Sequence, residues 1–267
     1  MRAWRPTAFV VVSAAVHLAA ALLFLLQPDY WRWALGAVLL DHVAICAAGL
    51  LPRCGLLGAN LVRLPEAAAR RGEIAITIDD GPDAEVTPKV LAILAGAGAQ
   101  ASFFCIGERA AQHPELCRAI VSAGHSVENH GQLHRKRSAL FGPRAWAKEV
   151  GRAQATLEAI TGQRPSFFRA LAGLRNPFLD PVLHRFGVRL ASWTRRGYDT
   201  RSADADAVFA RLTRNLAAGD ILLLHDGHAA RTASGKPVIV EVMPRLLSEL
   251  AKRKLKSVTL SSACKPG

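Results

Sequence analysis

Apolar positions along the chain change their period twice. From Thr7 to Gln27 the sequence reads TAFVVVSAAVHLAAALLFLLQ, with one His and no formal charge. A run of about 20 such residues matches the hydrocarbon thickness of a bilayer. QPDYWRW follows and places Tyr30, Trp31 and Trp33 where an aromatic belt would sit. A second apolar run, residues 33–51, carries Asp41 and His42 and is the weaker span. It reads as a second helix with a paired polar spot, a re-entrant segment or an interfacial helix. For the first run a cleaved signal peptide is the alternative. The length of its apolar region, and the lack of a clear Ala-x-Ala site, favour an uncleaved anchor. Arg2 and Arg5 precede the first span, and Arg53, Arg63, Arg70 and Arg71 follow the second. By the positive-inside rule two spans put both ends and the remaining chain in the cytoplasm, whereas one span puts the remainder outside.

Past residues 65–71, which read as a linker after a 1–64 anchor, the texture becomes that of a soluble domain over 72–260. Strand-like runs at 73–78, 101–106, 125–129, 166–170, 188–193, 220–225 and 256–261 alternate with helical stretches such as 87–97, 108–123, 143–161, 203–217 and 237–253. This alternation predicts α/β architecture, a parallel sheet with helices outside it, and seven strands suit an incomplete or distorted barrel. In such folds the chemistry sits at the C-terminal ends of the strands. Asp79 and Asp80 end the first predicted strand and His130 follows the third. Arg169 closes the fourth, Trp193 the fifth and His225 the sixth.

Charge narrows the partners. Lys and Arg outnumber Asp and Glu by 34 to 21 in 267 residues, a formal net charge of +13. Such a surplus attracts phosphates, anionic glycans or anionic membrane. The chain has no Gly-Lys-Ser/Thr loop, zinc-finger spacing or aromatic-basic alternation, and its basic clusters are scattered, so no nucleic-acid partner is expected. The five cysteines are odd in number and lack Cys-x-x-Cys spacing, which argues against a disulfide framework. Cys105 and Cys117 read as small buried residues.

The adjacent carboxylates of TIDDGP, residues 77–82, repel each other unless a cation lies beside them. HSVENHGQLH supplies two imidazoles, His130 and His134, spaced i, i+4, which would share a face on a helical turn. Asp80 with these two forms a facial Asp-His-His set with open positions, the arrangement of catalytic metal sites. One carboxylate would bind the ion and the other act beside it.

TIDDGP, GHSVENHGQLH, FRALAG and LLLHD, in this order, resemble the polysaccharide deacetylase family, the NodB-homology domain of carbohydrate esterase family 4, over about residues 72–255. The resemblance implies a distorted (β/α)7-type barrel that removes acyl groups, usually N-acetyl, from sugars with a divalent metal, usually Zn2+. It assigns the metal to Asp80, His130 and His134, and makes Asp79 the base for the metal's water, with Arg169 pairing with that base. His225 becomes the acid that protonates the departing amine, and the backbone N–H of Ala172 an oxyanion donor.

The chain also departs from the family pattern. Gly131 stands where Ser or Thr is usual, and RALAG replaces Arg-Pro-Pro-Tyr, which removes a proline and an aromatic ring from the substrate wall at Leu171 and Ala172. SWTRRGYDT stands where an acid tuning the catalytic histidine is usual; Asp199 is a candidate for that acid and Trp193 for a supporting residue, while Arg195 and Arg196 would add positive charge near the mouth. His125 reads as structural, Asn129 as orienting its loop, and His17, His113, His184 and His228 as ordinary. The expectation is a membrane-anchored carbohydrate deacetylase of a bacterial inner membrane, acting on a small or anionic sugar, such as one lipid-linked through phosphate. Its alternatives are an O-acetyl esterase, a deformylase on a lipid-linked sugar, or a non-catalytic glycan- or lipid-binding membrane protein.

Overall fold

The computed structural model describes residues 3–265, so Arg2, one of the charges flanking the first apolar run, lies outside the described residues. Thr7 opens helix α1 (Ala8–Leu26) by accepting the Val10 N–H on its side chain. A turn starting at Pro28 reverses the chain into α2 (Trp31–Leu50). The polar spot is paired: Ser13 Oγ donates to Asp41 Oδ2 at 2.7 Å, and His17 Nδ1 lies 3.5 Å from the same oxygen. The pairing ties the two helices, whose remaining surface is largely exposed and apolar. Both are long and apolar enough to cross a membrane.

Residues 65–71 hold helix α3 (Glu66–Arg70) with Ala68 fully buried, so this stretch packs where a linker was expected. Then follow β1 (Glu73–Asp79), α4 (Val86–Gly96), β2 (Ala101–Cys105), α5 (Gly107–Gln112), α6 (Pro114–Ser122), β3 (Ser126–Asn129) and α7 (Pro143–Thr161). The chain continues through β4 (Phe167–Phe168), α8 (Leu179–Phe186), β5 (Arg189–Leu190), β6 (Arg195–Arg196), α9 (Ala205–Thr213) and β7 (Ile221–His225). It closes with α10 (Val238–Lys252), β8 (Lys256–Ser257) and α11 (Leu260–Ala263). Strands run in the order β5-β4-β3-β2-β1-β7-β6, with β8 beside the start of β1. Every ladder between these strands is parallel. This is the expected barrel-like α/β architecture.

Several elements differ from expectation for local reasons. The single helix predicted over 108–123 breaks at His113, because Pro114 cannot continue the ladder and instead starts α6. The strand predicted over 188–193 ends at Leu190, so Trp193 lies beyond it, and the following Arg195–Arg196 pair forms β6 despite its charge. The run 256–261 pairs only through Ser257 before Thr259 caps α11.

Alternation along β1 sets which groups face the site. Ile74, Ile76 and Ile78 pack outward with Val90, Val242 and Leu246, while Ala75 faces inward with Phe104, Phe167 and Leu223. Thr77 and Asp79, in step with Ala75, therefore turn toward the inside of the curved sheet. Register completes the alignment: Asp79 sits opposite His225 on β7 and Phe104 on β2, Cys105 opposite Asn129, and Asn129 opposite Phe168. The residues after Asp79, Asn129 and Phe168 thus emerge at one height.

Candidate active site

Asp79 is buried at the end of β1, and its Oδ1 accepts from Arg169 Nη1 at 2.7 Å. Arg169 is wholly buried and fully engaged. The same Nη1 donates to Thr77 Oγ1 at 2.7 Å, Nε donates to the Ala191 carbonyl at 3.1 Å, and Nη2 donates to the Ser192 carbonyl at 2.8 Å. Its guanidinium also lies 4.0 Å from the Phe104 ring centre and 5.9 Å from that of Trp193. A buried cation bonded through each of its three nitrogens is a fixed charge beside the Asp79 carboxylate.

Asp80 adopts a left-handed backbone, φ 73°, which turns its carboxylate toward the histidines. Its carbonyl accepts from Arg109 Nη1 at 2.8 Å. Gly81 and Gly227 flank this turn with no room for a Cβ: the Asp226 carboxylate covers Gly81, and the Asp80 carbonyl covers Gly227. His130 Nδ1–H donates to the Arg169 carbonyl at 2.8 Å, leaving Nε2 3.1 Å from Asp80 Oδ1. His134 Nε2 lies 3.0 Å from the same oxygen.

The two histidines do not share a helical face as their spacing predicted. Residues 130–134 form a loop, with Gly131 at φ 84° and His134 at φ 51°. Glu149, reaching in from α7, holds the loop by accepting the Leu133 N–H at 2.8 Å and the His134 N–H at 3.1 Å on Oε1. Asn129 accepts the Gly131 N–H at 2.8 Å and so orients this loop, as expected of it. A Cβ on Gly131 would sit 2.8 Å from Glu149 Oε1, which accounts for glycine where Ser or Thr is usual.

Asp80, His130 and His134 offer ligand atoms all within 4.8 Å of one another. With Nδ1–H committed to a carbonyl, the neutral His130 ring turns a lone pair on Nε2 toward the Asp80 oxygen. Two acceptors at that separation need a cation between them, and a third donor beside them suits a metal better than a shared proton. The Asp-His-His set therefore fits a divalent ion. Burial would raise the Asp80 carboxyl, but the His130 and His134 imidazoles reverse this and hold it well below the usual carboxylate range. Burial would likewise lower His130, yet the Asp79 and Asp80 carboxylates leave it raised.

Across the cavity, His225 Nδ1–H donates to Asp199 Oδ1 at 2.8 Å, while the His225 backbone N–H donates to Asp199 Oδ2 at 2.7 Å. The structure thus brings Asp199 to His225. Burial would lower the His225 imidazole, but the Asp199 carboxylate leaves it raised. Ala172, at φ 53°, and Trp193 both line the cavity, whose volume is about 540 Å3. Arg196 lines it too, but Arg195 does not: it pairs with buried Asp220 at 2.6 Å and lies against the carbonyls of Arg214 and Asn215.

Sequence reasoning left three neighbours aside. His228, read as ordinary, has Nδ1 3.5 Å from Asp80 Oδ2, and Arg109 Nη2 donates to its Nε2 at 3.0 Å. Glu149 and Arg109 sit on helices remote in sequence, with no local signal to mark them. His125 stays outside the cavity as a structural residue, accepting the Ala101 N–H at 3.2 Å beside Phe103.

The polysaccharide deacetylase family model matches residues 66–191. A chitooligosaccharide deacetylase of Azorhizobium caulinodans is 33% identical over 158 residues, covering 59% of this chain and 75% of that protein. The chain belongs to the polysaccharide deacetylase family. A peptidoglycan-N-acetylglucosamine deacetylase of Bacillus cereus is 29% identical over 198 residues, covering 70% of this chain and 86% of its own length. Among solved structures, a family 4 carbohydrate esterase from Streptomyces lividans in complex with acetate superposes with a TM-score of 0.63 at 31% identity, covering 70% of this chain and 91% of that one. Membership of the polysaccharide deacetylases accounts for the four motifs and for the half-barrel of parallel strands.

Proposed function

We propose that the protein is a membrane-anchored, metal-dependent N-deacetylase of an N-acetylated amino sugar. One observation carries this reading: an Arg169-paired Asp79 and an Asp199-paired His225 lie opposite each other in the β1–β7 ladder, beside the Asp80-His130-His134 set. The relatives named as N-acetylglucosamine and chitooligosaccharide deacetylases support the substrate class.

Asp80, His130 and His134 would hold the metal, most plainly Zn2+, given two imidazoles and one carboxylate with room for further ligands. Such an ion would supply Lewis acidity and make a water nucleophile available near neutral pH. Asp79 is the base that takes the proton of the attacking water, held and aimed by its ion pair with Arg169. His225 donates its Nε2 proton to the departing amine, because an amine leaves poorly unless protonated; Asp199 fixes Nδ1–H and with it the useful tautomer. The Ala172 N–H stands at the cavity wall as a donor to the oxyanion. His130 keeps its orientation through the Arg169 carbonyl, so one arginine serves both the base and a ligand.

The hairpin of α1 and α2 is read as the anchor. Arg5 before it and Arg53 after it put both ends on one side of the bilayer, the cytoplasmic side by the positive-inside rule.

Acetate release from N-acetylated amino-sugar oligomers by the full chain in detergent, with metal stripped and then restored, tests the reading. Release that disappears and returns with the metal supports it. Stoichiometric metal with no release from any acylated sugar would move the protein to the class of glycan- or lipid-binding membrane proteins.

A further inference from the structure

The end of α2 packs against the segments that form one wall of the candidate site. Arg175 N–H donates to the Gly49 carbonyl at 3.2 Å, in the last turn of the helix, and its guanidinium donates to the Cys54 carbonyl. Gly49 has no room for a Cβ against the Arg175 carbonyl, and Gly173 has none against Pro52. Ser192 Oγ donates to the Pro52 carbonyl at 2.7 Å, and Arg53 donates to the Thr194 carbonyl at 3.2 Å. Leu171, Ala172 and Trp193, which line the cavity, lie within these same two segments. At the other helix, Trp4 Nε1–H donates to Asp180 Oδ2 at 2.7 Å, just beyond the 171–178 loop. The bilayer-exit end of the hairpin is therefore one side-chain layer from the mouth.

The loops that follow the lining residues Lys136 and Ala172 carry exposed apolar side chains. Leu140 is 85% exposed and Phe178 49%, against 64% for Leu50 at the helix end. The loops of Leu140 and Phe178 are tied together by Asn176, whose Nδ2 donates to the Ala139 and Phe141 carbonyls at 2.9 and 2.8 Å. Inside the mouth, Lys136 and Arg196 line the wall, and neither pairs with a carboxylate among the described residues. Arg196 also buries an Nε with no hydrogen-bond partner. Glu108 is the one exposed carboxylate of that wall.

Resting on the deacetylase and anchor readings above, we propose that the catalytic mouth is held against the bilayer, with Leu140 and Phe178 dipping into it. The substrate is then an N-acetylated sugar joined through phosphate to a membrane lipid, its phosphate meeting Arg196 and Lys136. An anchored lipid chain would reach this mouth without leaving the membrane, whereas a soluble oligomer gains nothing from the arrangement. Apolar side chains at headgroup depth and unpaired cations beside them are the two features such a substrate requires.

The test uses the full chain in lipid nanodiscs and three probes: N-acetylglucosamine joined through diphosphate to a polyprenyl chain, the same sugar phosphate without lipid, and chitotetraose. The lipid-linked probe is expected to have a kcat/KM at least tenfold above that of chitotetraose. The double variant Leu140→Asp, Phe178→Asp is expected to cut that rate at least fivefold and leave chitotetraose turnover unchanged. The pair Leu140→Trp, Phe178→Trp, which keeps the rim apolar, is expected to retain it. Equal rates on the lipid-linked and lipid-free sugar phosphates would overturn the bilayer contact, and chitotetraose turned over as fast as either would overturn the substrate class; both outcomes leave the deacetylase standing. No acetate from any probe, with metal bound, would remove the deacetylase reading and this inference together.

Discussion

At the scale of single residues, the two carboxylates of TIDDGP are separated by their partners. Asp79 faces a buried guanidinium and Asp80 faces two imidazoles, so adjacent charges of one sign acquire different work. Asp79→Asn keeps the shape and removes the proposed base. Turnover is expected to fall by about 10²–10⁴-fold with metal content unchanged, as general-base catalysis contributes about that much. Metal analysis beside acetate release checks it; a near-normal rate would pass the role of base to His225. Asp199→Asn acts on the acid instead. The Asp199 carboxylate is what leaves His225 raised despite burial. Without it the imidazole loses its proton at lower pH, so the alkaline limb of the kcat profile is expected to move to lower pH. A limb that stays in place, with only a lower plateau, would mean that His225 is not the proton donor. Asp226 carries a stability consequence. Burial pushes its carboxyl up to about 7. A folded-state value above the unfolded one means that its contribution is full in acid, below about 4, and is lost as pH rises through about 7. The metal-free chain is therefore expected to become less stable over that window, and Asp226→Asn to flatten the slope in thermal melts recorded across pH.

At the scale of elements, the loop 130–134 is a product of α7 as much as of its own sequence. Its left-handed residues hold because Glu149 takes two of its N–H groups, and Gly131 leaves space for that carboxylate. Glu149→Ala is expected to leave the fold intact and to weaken metal binding by about 10–100-fold, the usual cost of losing a group that orients a ligand. Titration with a competing chelator measures it, and unchanged affinity would show that the loop holds itself. The same loop shows where reading the sequence stops. A His-x3-His spacing fits a helix turn and also fits a loop whose ends are pinned, and no local pattern separates them. Strand ends were legible, because short apolar runs mark β1 and β7 and the polar groups at their ends are conspicuous. Partners were not: Asp199 meets His225, and Arg195 turns to Asp220, through register set by neighbouring strands. Short β6 escaped notice because its charged residues are held by pairing with β7 and not by burial.

At the scale of the whole molecule, the hairpin and the barrel meet through backbone at Gly49 and Arg175, with the side chains of Arg53, Arg175 and Ser192 bonding to carbonyls around that contact. Gly49 lets α2 approach the Arg175 main chain, Gly173 leaves room for the Pro52 ring, and the Arg175 N–H binds the helix end. Such a joint transmits position: moving α2 moves the Leu171–Ala172 wall of the cavity. Gly49→Leu forces the two apart, and overpacking of this kind costs about 1–3 kcal/mol. The variant is expected to unfold at a lower temperature in detergent and to lose turnover while keeping its metal, since Asp80 follows β1 and His130 and His134 sit on the loop after β3, outside the 171–175 loop. An enlarged residue placed at Gly36 instead, mid-helix with open space around it, is expected to change neither quantity. If Gly49→Leu left both melting and rate untouched, the hairpin would be a tether that merely keeps the domain near the bilayer, and the cavity wall would stand without it. If it removed metal as well, the joint would reach further into the sheet than the contacts of the 171–175 loop carry it. Lower melting and lost turnover with the metal retained is the outcome that makes the hairpin part of the active site.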